Sequence, residues 1–245
     1  MASTNPAREY VLGIIKTVYE NHGFEPFKGV EATFKKDIGE NNSVEADAIL
    51  AVNETLNRLG IQNFAIYLSH HGVLVGILDT IGVPAELHHE TFSAIRNFNK
   101  YNVEGFVNEL LEVGVSEKAS GILLELFLKT DEILNQEHDI NRTVVSNLLN
   151  IVNNETLAEL GQILRLTGRT PVLIDPALAC EPPYIPGIVI EARTSGLDVL
   201  GSGGCVEETT AVFTFTYDAE TIIALMENSG VFLTAIPVSN AAAVL

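Results

Sequence analysis

The last third of the chain breaks into short β-rich pieces divided by proline and glycine, and this pattern constrains the fold more than any other feature. PVLI at 171–174, IVIEA at 188–192, VLG at 199–201 and VFTFT at 212–216 read as strands. NFAIYLS at 63–69 alternates apolar and polar residues as a half-buried strand does, and 24–34 reads as extended. Prolines and glycines between the pieces stop each from growing, so they must share one sheet to bury their apolar sides.

The rest of the chain has helical periodicity. In 8–22, Val11, Leu12, Ile14, Ile15, Val18 and Tyr19 form one stripe, with Gly23 placed to end the helix. Ser43 can cap a helix running to about 59, with Glu45 and Asp47 near its positive end and Gly60 after it. A further helix over 73–81 stops at Gly82 and Pro84. Residues 85–150 contain few glycines and four amphipathic segments, at 90–99, 103–113, 116–129 and 144–152, the third capped by Ser116. Helices over 155–166 and 219–228 frame the β-rich region. The expectation is an α+β fold: an antiparallel sheet flanked by helices, formed by residues 1–84 and 155–245, with an all-helical insertion subdomain at 85–154.

With 245 residues, 47% of them hydrophobic, the chain can bury a sizeable core. Its 14 lysines and arginines against 32 aspartates and glutamates leave a formal charge of −18. Lys35-Lys36 is the densest basic pair, so composition argues against nucleic acid as a partner. The start, MASTNPAREY, lacks a basic segment followed by an apolar run, and no apolar stretch reaches membrane-spanning length. The expected location is the cytoplasm. Neither a G-x-G-x-x-G nor a G-x-x-x-x-G-K-[ST] loop is present, so a doubly wound nucleotide fold has no fingerprint.

Several residues could carry chemistry. His70-His71 and His88-His89 are adjacent pairs without a third ligand at helical spacing. They read as surface histidines at element ends, and no metal site is expected. Cys180 and Cys205 are far apart in sequence and lie in no C-x-x-C motif, so buried small residues are the plain reading and a thiol nucleophile the sharper one. The GSGG at 201–204 reads as a turn or bulge, or as backbone that a ligand approaches closely. EPPYIP at 181–186 reads as a stiff segment on a sheet edge or a loop over the sheet. Glu207-Glu208 and Asp218/Glu220 read as a solvated acidic face without a basic partner.

Five segments, in order, resemble histidyl-tRNA synthetases. REYVLGIIKTVYENHGFEPF resembles that family's opening helix and first strand. DIGENNSVEADAILAVNETLNRLGIQNFAIYLSHHGVL resembles the segment after its second signature motif. AIRNFNKYNVEGFVNELLEVGVS resembles part of its insertion domain. LIDPALA, YIPGIVIEA and GSGG together resemble the histidine-recognition strand and the glycine-rich strand after it. DAETIIALME resembles the third signature motif. The resemblance implies a class II synthetase core, and it marks Tyr184, Gly187, Glu191, Gly203 and Gly204 as the remnant of a histidine pocket.

The departures are electrostatic. Where the family reads about R-G-L-D-Y-Y-T-G, this chain has Cys180, Glu181, Pro182, Pro183, Tyr184, Ile185, Pro186 and Gly187. Where it reads G-G-R-Y-D, this chain has Gly203, Gly204, Cys205, Val206 and Glu207. The third motif's arginine aligns with Thr221 and its glycine with Asp218. The second motif's hairpin and arginine find no room between Phe34 and Gly39, the first motif's strand is shortened, and no counterpart of the anticodon-binding domain is matched. Adenylate formation brings a carboxylate against a phosphate, which requires cations at the site.

The resemblance therefore implies a catalytically inactive binding or regulatory module with no catalytic residue and no cofactor; ATP and magnesium are needed only if activity is retained. Its partners would be a second copy of the chain or another protein, with histidine as a candidate ligand. The alternatives are the histidine-binding regulatory subunit of ATP phosphoribosyltransferase, which resembles the same core, a divergent ligase that retains activity, an enzyme using Cys180 or Cys205, and a shortened core that retains only the ability to fold.

Overall fold

In the computed structural model, residues 5–38, 43–98, 102–134, 154–178, 184–207 and 211–229 are described. They form eight α-helices and seven strands in one sheet. Helix α1 (Pro6–Asn21) opens with Asn5 as its cap, whose side chain accepts from the Ala7 N–H at 3.0 Å, and Pro6 fits the first turn. Gly23, at φ 77°, ends it in the left-handed conformation that glycine adopts without strain. A hairpin of β1 (Glu25–Pro26) and β2 (Thr33–Asp37) follows, then α2 (Ser43–Arg58), β3 (Phe64–His70) and α3 (His71–Ile81).

After a 3₁₀ turn at Ala85–Leu87 come α4 (His88–Arg96), α5 (Val103–Val113) and α6 (Glu117–Leu134). Asn102 caps α5 through Gly105, and Ser116 caps α6 through Ala119, as its position in the sequence implies. The chain returns through α7 (Asn154–Thr167) to β4 (Val172–Ile174), β5 (Tyr184–Thr194), β6 (Val199–Glu207), β7 (Ala211–Tyr217) and α8 (Ala219–Asn228). The helical segment expected at 144–152 lies outside the described residues.

The strand order is β1-β2-β7-β6-β5-β3-β4. Every pairing is antiparallel except β3 with β4, which is parallel and makes the sheet mixed at that edge. A parallel pair needs a long crossover, and the chain between β3 and β4, which includes all the helices from α3 to α7, supplies one. β5 was expected to stop short of EPPYIP, with that segment on an edge or over the sheet. β5 begins at Tyr184, and among the described pairings its first residues, 184–187, have β6 alone beside them, so this start of the strand is a local edge, as expected; from Ile188 onward β5 lies inside the sheet, between β6 and β3. Pro186 is accommodated because the β5–β6 register breaks between Tyr184 and Val189, and β3 pairs only from Ile188 onward. Residues 181–183 lie outside the described residues.

Alternation divides the sheet into two faces. Ile66, Leu68, Ile188, Ile190, Ala192, Phe213, Phe215 and Tyr217 are buried on one of them. Tyr19 of α1 packs there on Phe34, Phe215 and Tyr217, with ring centroids 4.8–6.2 Å apart. The helices between 85 and 134 extend this core without a break: Phe98, Phe106 and Phe127 form their own aromatic cluster, and the His71 ring of α3 stands edge-on to Phe92 of α4 at 5.1 Å. The opposite face carries Thr33, Lys35, Tyr67, Glu191, Arg193, Ser202, Thr214 and Thr216, and is polar.

Candidate functional site

Glu191 and Arg193 stand two residues apart on β5, so alternation puts both on the polar face. Tyr67 of β3 is the direct cross-strand partner of Glu191, and Ser202 of β6 flanks it on the other side. Arg193 Nε donates to Glu191 Oε1, and Arg193 Nη1 donates to Asp175 Oδ2 at 3.3 Å. The Arg193 guanidinium carbon lies 4.5 Å from the centre of the Tyr67 ring, a cation–π contact. Asp175 ends β4 and is held from its own loop: its Oδ1 accepts from the Ala177 N–H at 2.9 Å, and its carbonyl accepts from the Leu178 N–H. The side chains of Asp175, Arg193 and Glu191 are 8%, 14% and 18% exposed, so the triad is largely out of water. Burial pushes the Asp175 carboxyl above the usual carboxylate range, against the pull of Arg193. Burial opposes the charge on Arg193, but Glu191 and Asp175 outweigh it and raise its pKa.

Of the residues expected to form a pocket, Glu191 alone enters this cluster. Gly203 pairs with Ile190 and Phe215, and a Cβ on it would point toward the core, 2.6 Å from Phe215 Cδ2 and 2.5 Å from the Thr214 carbonyl oxygen. Gly201 is equally tight against Phe215. The glycine run is not a turn: it sits within β6, adjoins a register shift at Leu200, and lets the Phe215 ring lie across that strand. Gly204 pairs with Val189 and Thr214. Gly187 has ordinary room, with Cys205 Sγ 4.0 Å from where its Cβ would stand. Tyr184 is described by its backbone alone, which pairs with Val206.

Other expectations also resolve. Cys205 is buried in the core cluster opposite Phe213, as a small core residue; Cys180 lies outside the described residues. Of the two histidine pairs, His89 alone is exposed; His70 and His71 are half-buried and His88 is buried. His70 Nδ1 accepts from the Gly72 N–H at 2.9 Å, capping α3, while Nε2 faces Glu159 of α7 at 3.1 Å. His88 is buried and its Nε2 lies 3.1 Å from the Val83 carbonyl. Tertiary packing puts these rings at a junction of β3, α3, α4 and α7 that no single segment reveals. Asp218 and Thr221, aligned with the third motif's glycine and arginine, form a helix cap: Asp218 Oδ1 accepts from the Thr221 N–H at 2.9 Å. Glu220 does have a basic partner, Arg8, which also binds Glu31.

Tyr67, Asp175 and Arg193 were not anticipated as site residues. One sequence signal pointed to them: IVIEART places two charges at i and i+2 among apolar strand residues, and buried charges require partners.

Antiparallel strands carrying this polar cluster, with a helix layer behind and a helical segment between β3 and β4, match an existing architecture. A histidyl-tRNA synthetase structure from Nostoc sp. PCC 7120 superposes with a TM-score of 0.70 at 14% identity, covering 94% of this chain and 76% of that one. The fold is that of the histidyl-tRNA synthetase core. In sequence, the chain is similar to the histidine–tRNA ligase of Treponema denticola, 22% identical over 177 residues, which are 70% of this chain and 39% of that protein. It is also similar to the ATP phosphoribosyltransferase regulatory subunit of Trichormus variabilis, 25% identical over 173 residues, 69% of this chain and 40% of that protein. The chain thus spans less than half the length of these curated relatives. No family model matches it.

Asp175 and Glu191 are both engaged by Arg193. Among the described residues no group of three or more His, Cys, Asp or Glu side chains could hold a metal ion. No helix among them is long and apolar enough to cross a membrane.

Proposed function

We propose that this synthetase-like core is a catalytically inactive binding or regulatory module that does not activate histidine. One observation carries the reading. Across the described residues of β3, β5, β6 and β7, Arg193 is the one lysine or arginine, and it is ion-paired to two carboxylates, while Lys35 of β2, on the same face, lies over the Phe27 ring at 5.6 Å. Bringing an amino-acid carboxylate against an ATP phosphate needs uncommitted positive charge at the meeting point, and each such donor is worth ~10²–10³ in rate. Arg193 has none to give, since the triad already carries an excess carboxylate. The formal charge of the whole chain, −18, works in the same direction at long range.

The module acts in the cytoplasm on a protein partner, and the regulatory-subunit relative from Trichormus variabilis supports that role, at 25% identity. Histidine-dependent ATP–pyrophosphate exchange is the test. The expected outcome is no exchange above a buffer control, and sustained turnover by the purified chain would overturn the reading. Calorimetric titration with histidine then separates two forms of it. Saturable binding favours a histidine-sensing regulatory subunit, and its absence favours a module that recognises protein alone.

A further inference from the structure

Two carboxylates converging above an aromatic ring are a complete recognition set for a planar cation: charge-assisted hydrogen bonds at the edge and an electron-rich face beneath. On the polar face the chain fills this set with its own side chain. The local backbone is arranged for it. Ala192 pairs with Gly201 but Arg193 pairs with Val199, so Leu200 is an extra residue in β6. Such a bulge bends the strand and re-aims the side chain beside it. Tyr67, opposite Glu191, is then diagonal to Arg193 and within reach of its guanidinium. Asp175 is fixed independently by its own loop through Ala177, so the second carboxylate does not depend on Arg193 for its position.

We propose that Arg193 is a built-in occupant of the polar-face site. Its guanidinium fills the place that the guanidinium or amine of a small ligand would take, and the site accepts such a ligand only when Arg193 is displaced or removed. The proposal rests on the reading of the chain as a binding module. It specifies the ligand class by charge: with two acids to one base, a cation entering in place of Arg193 restores the balance, whereas a phosphate or carboxylate would face Glu191 and Asp175 directly. Arg193 is in this sense a specificity-determining residue that keeps the site closed in the resting chain.

Methylguanidinium chloride, titrated calorimetrically into the whole chain against sodium chloride at equal ionic strength, tests this. The wild type is expected to give no saturable heat. Arg193→Ala is expected to bind one methylguanidinium at least about tenfold more tightly than the wild type, a clear difference in such a titration. Adding Glu191→Gln to that variant removes the gain. Arg193→Gln, which retains most of the side-chain volume, is the second variant and carries the test if Arg193→Ala does not fold; its affinity falls between the two. A folded Arg193→Ala or Arg193→Gln that binds no better than the wild type overturns the proposal, as does a wild type that binds as tightly as the variants. The outcome is separable from the inactive reading. Histidine-dependent exchange by the wild type would overturn inactivity and leave the methylguanidinium result standing, and the reverse also holds.

Discussion

Gly203 has no room for a side chain. A methyl group there would meet both the Thr214 carbonyl oxygen and the Phe215 ring, and Phe215 is itself fully buried beneath Tyr19. Gly203→Ala is therefore expected to lower stability by roughly 1–3 kcal/mol, the usual cost of overpacking a closed core. Urea denaturation measures this, and an unchanged midpoint would show that Phe215 can retreat. Gly187→Ala, with 4.0 Å to the nearest neighbour, is the control expected to stay within about 1 kcal/mol of the wild type. The pair illustrates how far the site could be read from the chain. The run GSGG was visible, and so was a choice between turn and ligand contact. What fills the space above a glycine depends on the cross-strand neighbour, and that neighbour, Phe215, belongs to a different strand. Glu191 was legible as a charge on a strand, but its three companions come from β3, the end of β4 and β5, which only the sheet register brings together.

At the scale of elements, α3 depends on an imidazole in one protonation state. His70 Nδ1 must be bare to accept from the Gly72 N–H, and Nε2–H then faces Glu159. A Cβ at position 72 would meet the Thr156 hydroxyl at 2.6 Å and His70 Nδ1 at 3.0 Å, so the cap depends on glycine there. Burial lowers the His70 pKa, against the pull of Glu159; burial lowers that of His71 too, with His70 and His88 adding to it. The unfolded chain takes up these protons near ~6.5 and the folded chain only at lower pH. Their contribution to stability is thus fully present above that value and is lost as the pH falls below it, at up to ~1.4 kcal/mol per unit for each ring. Glu45, whose pKa is raised by burial and by Glu159 and Asp47, acts in the opposite sense, favouring the folded state as its carboxyl protonates. His70→Asn retains a side chain able to cap α3 but removes the titration. It is expected to reduce the loss of stability between about pH 8 and 5.5 by roughly half relative to the wild type, read from urea midpoints. An identical slope in the variant would assign the pH dependence elsewhere.

At the scale of the whole molecule, the buried residues of the helices between 85 and 134 are continuous with those beneath the sheet. The His71 ring of α3 packs edge-on against Phe92 of α4 and ties the two helices together. The described parts are accordingly expected to unfold in one step, with far-ultraviolet circular dichroism and tyrosine fluorescence giving the same midpoint; two separated transitions would show an independently stable helical unit. Phe106→Ala, which opens a cavity in that helical region, is expected to lower this shared midpoint and cost about 3–5 kcal/mol. The net charge of −18 adds a second global effect. Screening between about 0.05 and 0.5 M sodium chloride should raise the thermal midpoint by reducing self-repulsion.

The order and type of most described elements followed from the sequence alone, because periodicity, caps and breakers act over neighbouring residues; the stretch 24–34, read as one extended piece, is instead part of the β1–β2 hairpin. The helices over 103–113 and 219–228 match the structure residue for residue, and glycines 23, 60, 82 and 168 all adopt the left-handed conformation at helix ends. Tertiary structure decided everything that required two distant segments to meet. It made β4 parallel and turned surface histidines into a buried junction. It also converted a lone strand arginine into the doubly paired centre of the polar face. Charge and packing space act through distance in three dimensions, and the sequence specifies those distances only through the completed fold.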